Sequence, residues 1–420
     1  MKLRRPVYVV GGAHTNYIGK FHPDFIWKKH PDFGKRQNPT LEDYIVTIIN
    51  KTLEATGVDP SLIDKGYLGN FAGQLFSNQG HLGAMMPIAH EALGYKPLAR
   101  VEAACASGGI AALASIDALQ GMADVALVIG AEVQTSVSAR QGADFLARAS
   151  HYATERELDE FTFPCLFARR MKAYQETHGV SHADIAPVVA KAYANANKNP
   201  NAHMRTVTWI DEAFASGVNP KNPAFLRNED YRDHLLISDC SQVSDGATGI
   251  IIATEEGLAK MGIDKSACTE IVAYGHSTSA LGQVKDFTRL DNAEAAINEA
   301  YRDSGLSVAD MGVGEVHDCF SVTEVLMYEA LGLTGYGKGT EAAKDGSTQI
   351  DGRLPINTGG GLMAFGHPVG ATGVKQIFEV HRQMKGQCGD YQMPTTPGVG
   401  LTANMGGDDR TTVVTIQRNT

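Results

Sequence analysis

The sequence predicts an α/β protein built from two similar halves, with a long and mainly helical stretch inserted between them. Three observations predict it. Short β-branched runs alternate with longer amphipathic stretches along most of the chain. One order of elements occurs twice. The stretch from Gln134 to Asp239 is longer, more polar and richer in His, Asn and Arg, and shows no strand signal. A segment of that length needs helices of its own to be ordered.

The first half opens with a strand at 7–10, and a second reaches Gly69-Asn70-Phe71. A third ends at Glu102-Ala103-Ala104, and a Gly-containing helix start follows at Cys105-Ala106-Ser107-Gly108-Gly109. Helices are expected over 41–56 and 108–120, with further strands at 125–129 and 250–253. The second half repeats the order. Strands are expected at 271–274 and 315–317, a helix over 293–304, then Ile356-Asn357-Thr358, a Gly-rich turn, a helix over 374–385 and a last strand at 413–416. These elements divide the chain into a first half made of residues 1–133 and 240–265, an insertion over 134–239, and a second half over 266–420. Duplicated α/β halves place equivalent loops side by side, a natural origin for one composite site.

The 420 residues are 43% hydrophobic and 20% charged, with a formal net charge of −10. That balance carries no basic footprint for nucleic acid or an anionic membrane. No apolar run approaches the roughly 18–20 residues a membrane span needs. Met1-Lys2-Leu3-Arg4-Arg5-Pro6 is basic but leads into a short strand-like run, which is not a signal-peptide core. The six cysteines, at 105, 165, 240, 268, 319 and 388, form no CxxC pair and no compact framework. Neither a zinc site nor a disulfide scaffold is expected, so the thiols read as reduced.

Four segments could carry chemistry. Cys105 lies where an extended run meets a helix with apolar positions at Ile110, Leu113, Ala114, Ile116 and Leu119. A helix N-terminus there would stabilise a thiolate and lower the thiol pKa, although most cysteines are inert core thiols. Gly359 to Gly373 contains Gly366-His367-Pro368. It lacks the Lys and Ser/Thr of a phosphate-binding loop. It is either a solvated turn or a presenter of His367 as a base, with Pro368 opening the next helix. His317-Asp318-Cys319-Phe320 follows a strand. Alternating strand directions and the lack of a nearby second ligand cluster disfavour a metal, and a second catalytic thiol beside a histidine donor fits better. In Asn404-Met405-Gly406-Gly407, a Gly could offer a backbone N–H to an oxyanion, though alone the segment is only a loop.

Taken together, these four motifs resemble the thiolase superfamily, and within it the sterol carrier protein-type thiolases. The likeness covers most of the chain, including Ser244-Asp245-Gly246 and a helix-like run over 167–177. It implies the thiolase fold, two layered αβαβα halves. The chain departs from the usual pattern at two places: Asn404-Met405-Gly406 stands where most thiolases have Cys-x-Gly, and His317-Asp318 where most have Asn-Glu. In the sterol carrier protein type, the Cys of the His-Asp-Cys-Phe block is thought to supply the missing thiol, here Cys319.

The resemblance implies that Cys105 is the acylated nucleophile, activated by His367, while Cys319 moves the substrate proton. It implies that His317 binds the thioester oxygen and that the N–H groups of Cys105 and Gly406 form a second oxyanion hole. It implies an acyltransferase acting on CoA thioesters, with free coenzyme A as substrate, no permanently bound cofactor, no metal, and assembly as a homodimer or homotetramer. Arg169, Arg170 and Lys172 lie where thiolases hold coenzyme A, and one of them is expected on a phosphate of its adenosine end. Gln417-Arg418-Asn419-Thr420 is not a Ser-Lys-Leu-type signal, so a cytoplasmic rather than peroxisomal setting is expected. Three alternatives fit less well. Ketosynthase-like condensing enzymes generally lack the second cysteine, and thiolase-fold aldolases generally lack the nucleophile. A non-catalytic scaffold would not keep both thiols and His367.

Overall fold

The computed structural model describes residues 3–420. Nine strands form one mixed sheet: β1 (Val7–His14), β2 (Lys65–Gly69), β3 (Leu98–Val101), β4 (Val125–Glu132), β5 (Gly246–Ala253), β6 (Thr269–Thr278), β7 (Val313–Val316), β8 (Val399–Gly406) and β9 (Thr411–Asn419). Their order is β3-β2-β4-β5-β1-β6-β9-β8-β7. Read outward from the centre, each half runs first strand, last strand, next-to-last strand, second strand. The first half adds β3 at its edge. The halves join where β1 and β6 pair antiparallel, Val7 opposite Ile271 and Val9 opposite Thr269.

Eight helices matter for the site: α1 (Leu41–Thr56), α2 (Ser107–Leu119), α3 (Ala139–Leu146), α4 (Thr162–His178), α5 (His182–Ala196), α6 (Asp291–Ser304), α7 (Ser321–Ala330) and α8 (Thr372–Met384). Helix α1 shows why these sequences stop and start where they do. Thr40 and Asp43 form a reciprocal capping box, and Gly57 ends the helix in the left-handed conformation at φ 65°. Residues 134–239 carry α3, α4 and α5 and no strand. No helix among the described residues is long and apolar enough to cross a membrane.

The period-2 pattern of the strands sorts the core into two faces. Tyr8, Val125, Leu127, Ile129 and Ile251 pack under α1. Val7, Val9, Ala126, Val128, Ile250 and Ile252 face α2 and α8, which share a core with Ile271, Tyr274 and Val413 of the second half. Each such Val, Leu or Ile contributes about 1.5–3 kcal/mol when fully buried. Because strands of both halves cover α2 and α8, these helices form a central layer. Every residue of α8 except Arg382 is buried. Its polar residues are therefore paired inside: Lys375 Nζ donates to Glu315 at 2.6 Å, and Glu379 meets His14 Nε2 at 2.9 Å.

The expected strands and helices are present, with two corrections near the site. Strand β8 is absent from the sequence expectation, because Gly400, Asn404 and Gly406 dilute its β signal. Pro368 does not open the last helix. That helix begins at Thr372, and the Pro368 carbonyl instead accepts the Ala371 N–H at 2.8 Å, closing a turn.

The central layer has no room where α2 crosses α8. A Cβ on Gly373 would lie 2.1 Å from the Gly109 nitrogen, whereas a Cβ on Gly121 meets nothing within 4 Å. Gly373→Ala should therefore cost about 1–3 kcal/mol of stability through overpacking, and Gly121→Ala should not. Urea denaturation midpoints of the two variants check this.

Candidate active site

Cys105 sits in the four-residue link between Glu102 and α2. The link is wired to itself: Ser107 Oγ accepts from the Ala103 N–H at 2.9 Å and donates to the Ala104 carbonyl at 2.6 Å. Ala104 is held at φ 50°, a left-handed conformation that a β-carbon disfavours. The thiol is 4% exposed. Burial pushes it up to about 12, against hydrogen bonding from the Gly407 backbone, which pulls the other way. This corrects the expectation of a thiol lowered by a helix terminus. The helix starts two residues later, at Ser107, and desolvation outweighs its dipole.

His367 is the group that can take the proton. Its Nδ1 lies 2.6 Å from Thr372 Oγ1, and that hydroxyl donates to the Pro368 carbonyl at 3.3 Å. The hydroxyl thus accepts from Nδ1–H, which leaves Nε2 with a free lone pair. Nε2 is buried with no partner. Burial first, and the Lys375 charge second, lower the imidazole to about 3, so it is neutral and ready to accept.

His317 plays the opposite part. Its Nδ1 accepts the Met405 backbone N–H at 3.3 Å, and a backbone amide can only donate. The other nitrogen, Nε2, therefore carries the hydrogen and is a donor. Burial, then the neighbouring His367 and Lys375, hold this ring well below the usual histidine range. The two rings meet edge to face at 5.2 Å, and one atom each of Cys105, His317 and His367 lie within 4.8 Å of one another. The three are thus set for proton transfer and hydrogen-bond donation.

Asn404 ties the site together. Its Oδ1 accepts the Gly109 N–H at 3.1 Å and its Nδ2 donates to the Cys105 carbonyl at 3.1 Å. Gly406 packs directly on the Cys105 link, where a Cβ would lie 2.2 Å from the Ala103 carbonyl oxygen. Asp318 points away from the thiols and accepts the Leu362 N–H at 2.6 Å, fixing the Gly-rich turn before His367. Cys319 turns back towards the site. It is buried, 3.9 Å from Thr323 Oγ1, and burial followed by the nearby Cys105 pushes it well above the usual thiol range.

Cys105, Cys319 and His367 line one cavity of about 320 Å³, whose walls include Phe71, Phe76, Leu146 and Phe163. Arg169, Arg170 and Lys172 do not line it. Arg170 is fully buried, ion-paired to Asp408 and donating to the Arg289 carbonyl at 2.7 Å, so it cannot reach a phosphate. Arg169 stacks over Phe287 at 4.3 Å, and Lys172 lies 3.9 Å from Glu176. Sequence reasoning gave no role to Thr372 or Lys375, and it placed Gly407 in a candidate segment without linking it to the Cys105 thiol. Thr372 had a local signal, a hydroxyl five residues after the histidine.

A buried thiol between two helices of a duplicated α/β core, facing one acceptor imidazole and one donor imidazole, defines a thiol-dependent acyl-transfer site. Residues 31–209 match the family described as Thiolase, N-terminal domain, and residues 273–419 that described as Thiolase C-terminal domain-like. An acetyl-CoA acetyltransferase of Methanothermobacter thermautotrophicus is 33% identical over 91% of this chain and 96% of its own. The benzoylsuccinyl-CoA thiolase subunit BbsB of Thauera aromatica is 30% identical over 98% and 97%. Sterol carrier protein 2 of Oryctolagus cuniculus is 31% identical over 74% of this chain and 56% of its own. Among solved structures, the human mitochondrial 3-ketoacyl-CoA thiolase in complex with CoA superposes with a TM-score of 0.72 at 17% identity, covering 100% and 99% of the two chains. The Ltp2-ChsH2(DUF35) aldolase superposes at 0.75 and 19%, covering 99% and 98%. The chain belongs to the thiolase family. It is an acyltransferase of the thiolase type.

Because His367 is lowered to about 3, its neutral form persists well below pH 6. The acid limb of kcat/KM, which reports the free enzyme, should therefore fall below pH 5, not near the ordinary imidazole value of about 6.5. Thr372→Val should leave Nδ1–H unpaired and lower kcat about 10- to 100-fold, less than the loss of a base itself. A pH–rate profile of both proteins is the check, and a limb near 6.5 would contradict the buried neutral imidazole.

Proposed function

We propose that this enzyme cleaves 3-oxoacyl-CoA by thiolysis, and runs the reverse condensation, through an acyl group carried on Cys105. The observation that carries the reading is the shared cavity of Cys105, Cys319 and His367, with His317 held in its donor tautomer. The Cys105 sulfur attacks the 3-keto carbon while its proton passes to His367 Nε2. The N–H groups of Cys105 and Gly406 hold the resulting oxyanion. Collapse breaks the bond between C2 and C3, leaving an acyl thioester on Cys105 and the enolate of acetyl-CoA.

His317 Nε2–H stabilises the enolate oxygen, and the Cys319 thiol gives its proton to C2. After acetyl-CoA leaves, the thiol of free coenzyme A gives its proton to the Cys319 thiolate and attacks the acyl carbon. Cys105 departs as thiolate and recovers the proton from His367. Every proton is returned, so no permanent cofactor and no metal is required. An aldolase on the same fold would leave this thiol–imidazole pair idle. The coenzyme A complex of the human mitochondrial thiolase supports coenzyme A as the thiol substrate. The setting proposed with this chemistry is fatty-acid metabolism in the cytoplasm, by a homodimer or homotetramer.

Cys319→Ala separates acyl transfer from carbon–carbon cleavage. It should still form an adduct on Cys105 from a simple acyl-CoA, seen by peptide mass spectrometry, and should lose cleavage by about 10²- to 10⁴-fold. Cleavage at the wild-type rate would make Cys319 a packing thiol only. Cys105→Ala should form no adduct and retain no thiolysis.

A further inference from the structure

The link between β1 and α1, residues 15–40, carries Lys20, Lys28, Lys29, Lys35 and Arg36 against only Asp24 and Asp32, in a chain of net charge −10. It is a built segment. The Lys20 carbonyl is bonded to His203 Nε2 at 2.8 Å, the Phe21 carbonyl accepts from Thr206 Oγ1 at 3.3 Å, and Asn38 clamps Ile26 through both of its amide atoms. Lys20 is exposed, and it is the one lysine or arginine, among the described residues, that lines the cavity holding Cys105.

Beside it, Phe21 is held at φ 83°, a left-handed conformation unfavourable for an aromatic residue, and its ring is 39% exposed. Trp209 meets that ring edge to face at 5.9 Å and is 50% exposed. Lys20 Nζ stands 4.9 Å from the Phe21 ring centre. A strained backbone that turns one large ring outward next to another, under an ammonium group with no ion pair among the described residues, is costly unless something covers it.

This inference rests on the thiolysis reading above. If the thiol of coenzyme A reaches Cys105, its pantetheine arm fills the cavity and its 3′-phosphorylated ADP end emerges at the mouth. That end is an adenine ring bearing several negative charges, the complement of an aromatic pair beside unpaired lysines. We propose that Lys20, Phe21 and Trp209 bind the nucleotide end of coenzyme A, in place of the cations on α4.

The test uses acetoacetyl-pantetheine as acyl donor, so that the nucleotide is present only on the acceptor, either coenzyme A or pantetheine. Lys20→Glu should raise the KM for coenzyme A about tenfold with little change in kcat, and leave the KM for pantetheine as it was. Phe21→Gly, which keeps the left-handed backbone free of strain, should act in the same direction. Added salt should raise the wild-type KM for coenzyme A and move that of Lys20→Glu less. Equal effects on both acceptors, or none on either, would overturn the assignment. Failure of the wild type to use either thiol would instead overturn the thiolysis reading, and this assignment with it.

Discussion

Two backbones touch at the centre of this molecule, and no side chain fits between them. A Cβ on Gly108 would sit 2.8 Å from the Gly370 carbonyl oxygen, and one on Gly130 would sit 2.5 Å from the same oxygen. The segment that carries Cys105 and the segment that carries His367 are thereby pressed together at backbone distance. Helices α2 and α8 occupy equivalent places in the two halves of the sheet, so the approach is a product of the duplication. One half contributes Cys105, the proposed nucleophile, and the other His367, the proposed base. Asn404, in the strand that lies beside α8, then locks the register by bonding both Gly109 and Cys105.

That closeness dictates the electrostatics. With strands of both halves covering the central layer, the thiol and both imidazoles are buried, and each is pushed towards its neutral form. The Lys375 charge is compensated by Glu315 at 2.6 Å and adds to the pressure against an imidazolium. Moving a proton from Cys105 to His367 in the empty site would create two poorly solvated charges. Transfer becomes favourable once negative charge can pass from the sulfur to a substrate oxygen held by N–H donors. The site therefore favours reaction over idle ionisation, which also protects the thiol from adventitious chemistry.

How much of this could be read from the residues divides along the range of the interactions. Alternation and β-branched runs disclosed the α/β class, the duplication and the helical character of 134–239, because each depends on neighbours in sequence. The four chemistry-bearing segments were also legible, since each is a short cluster. What failed depended on distant partners. The direction of the Cys105 shift is set by burial between elements hundreds of residues apart. Arg170 looks like a helix-face cation, yet its carboxylate partner Asp408 is 238 residues away. Lys20 and Trp209 are brought together only by the packing of the β1–α1 link on the insertion.

The placement of the second thiol follows from the first constraint. Position 404 cannot supply it, because both ends of the Asn404 amide are spent holding the Cys105 link and Gly109. The second thiol that does line the cavity, Cys319, follows the end of β7 by three residues. Beyond Val316 the chain leaves the strand and bends at Cys319, and the partners of the three side chains show where each one faces. His317 turns to the nucleophile, Asp318 turns away to hold the Leu362 N–H, and Cys319 turns back to the cavity wall. Phe320, stacked on Phe167 at 4.4 Å, pins the register against the insertion. A slip of one residue would exchange the two faces, placing a buried carboxyl against the nucleophile and leaving the Gly-rich turn without its anchor. The one-residue spacing thus sets His317 beside Cys105 and His367, puts Cys319, the proposed acid, on the cavity wall, and leaves Asp318 between them to anchor the Gly-rich turn.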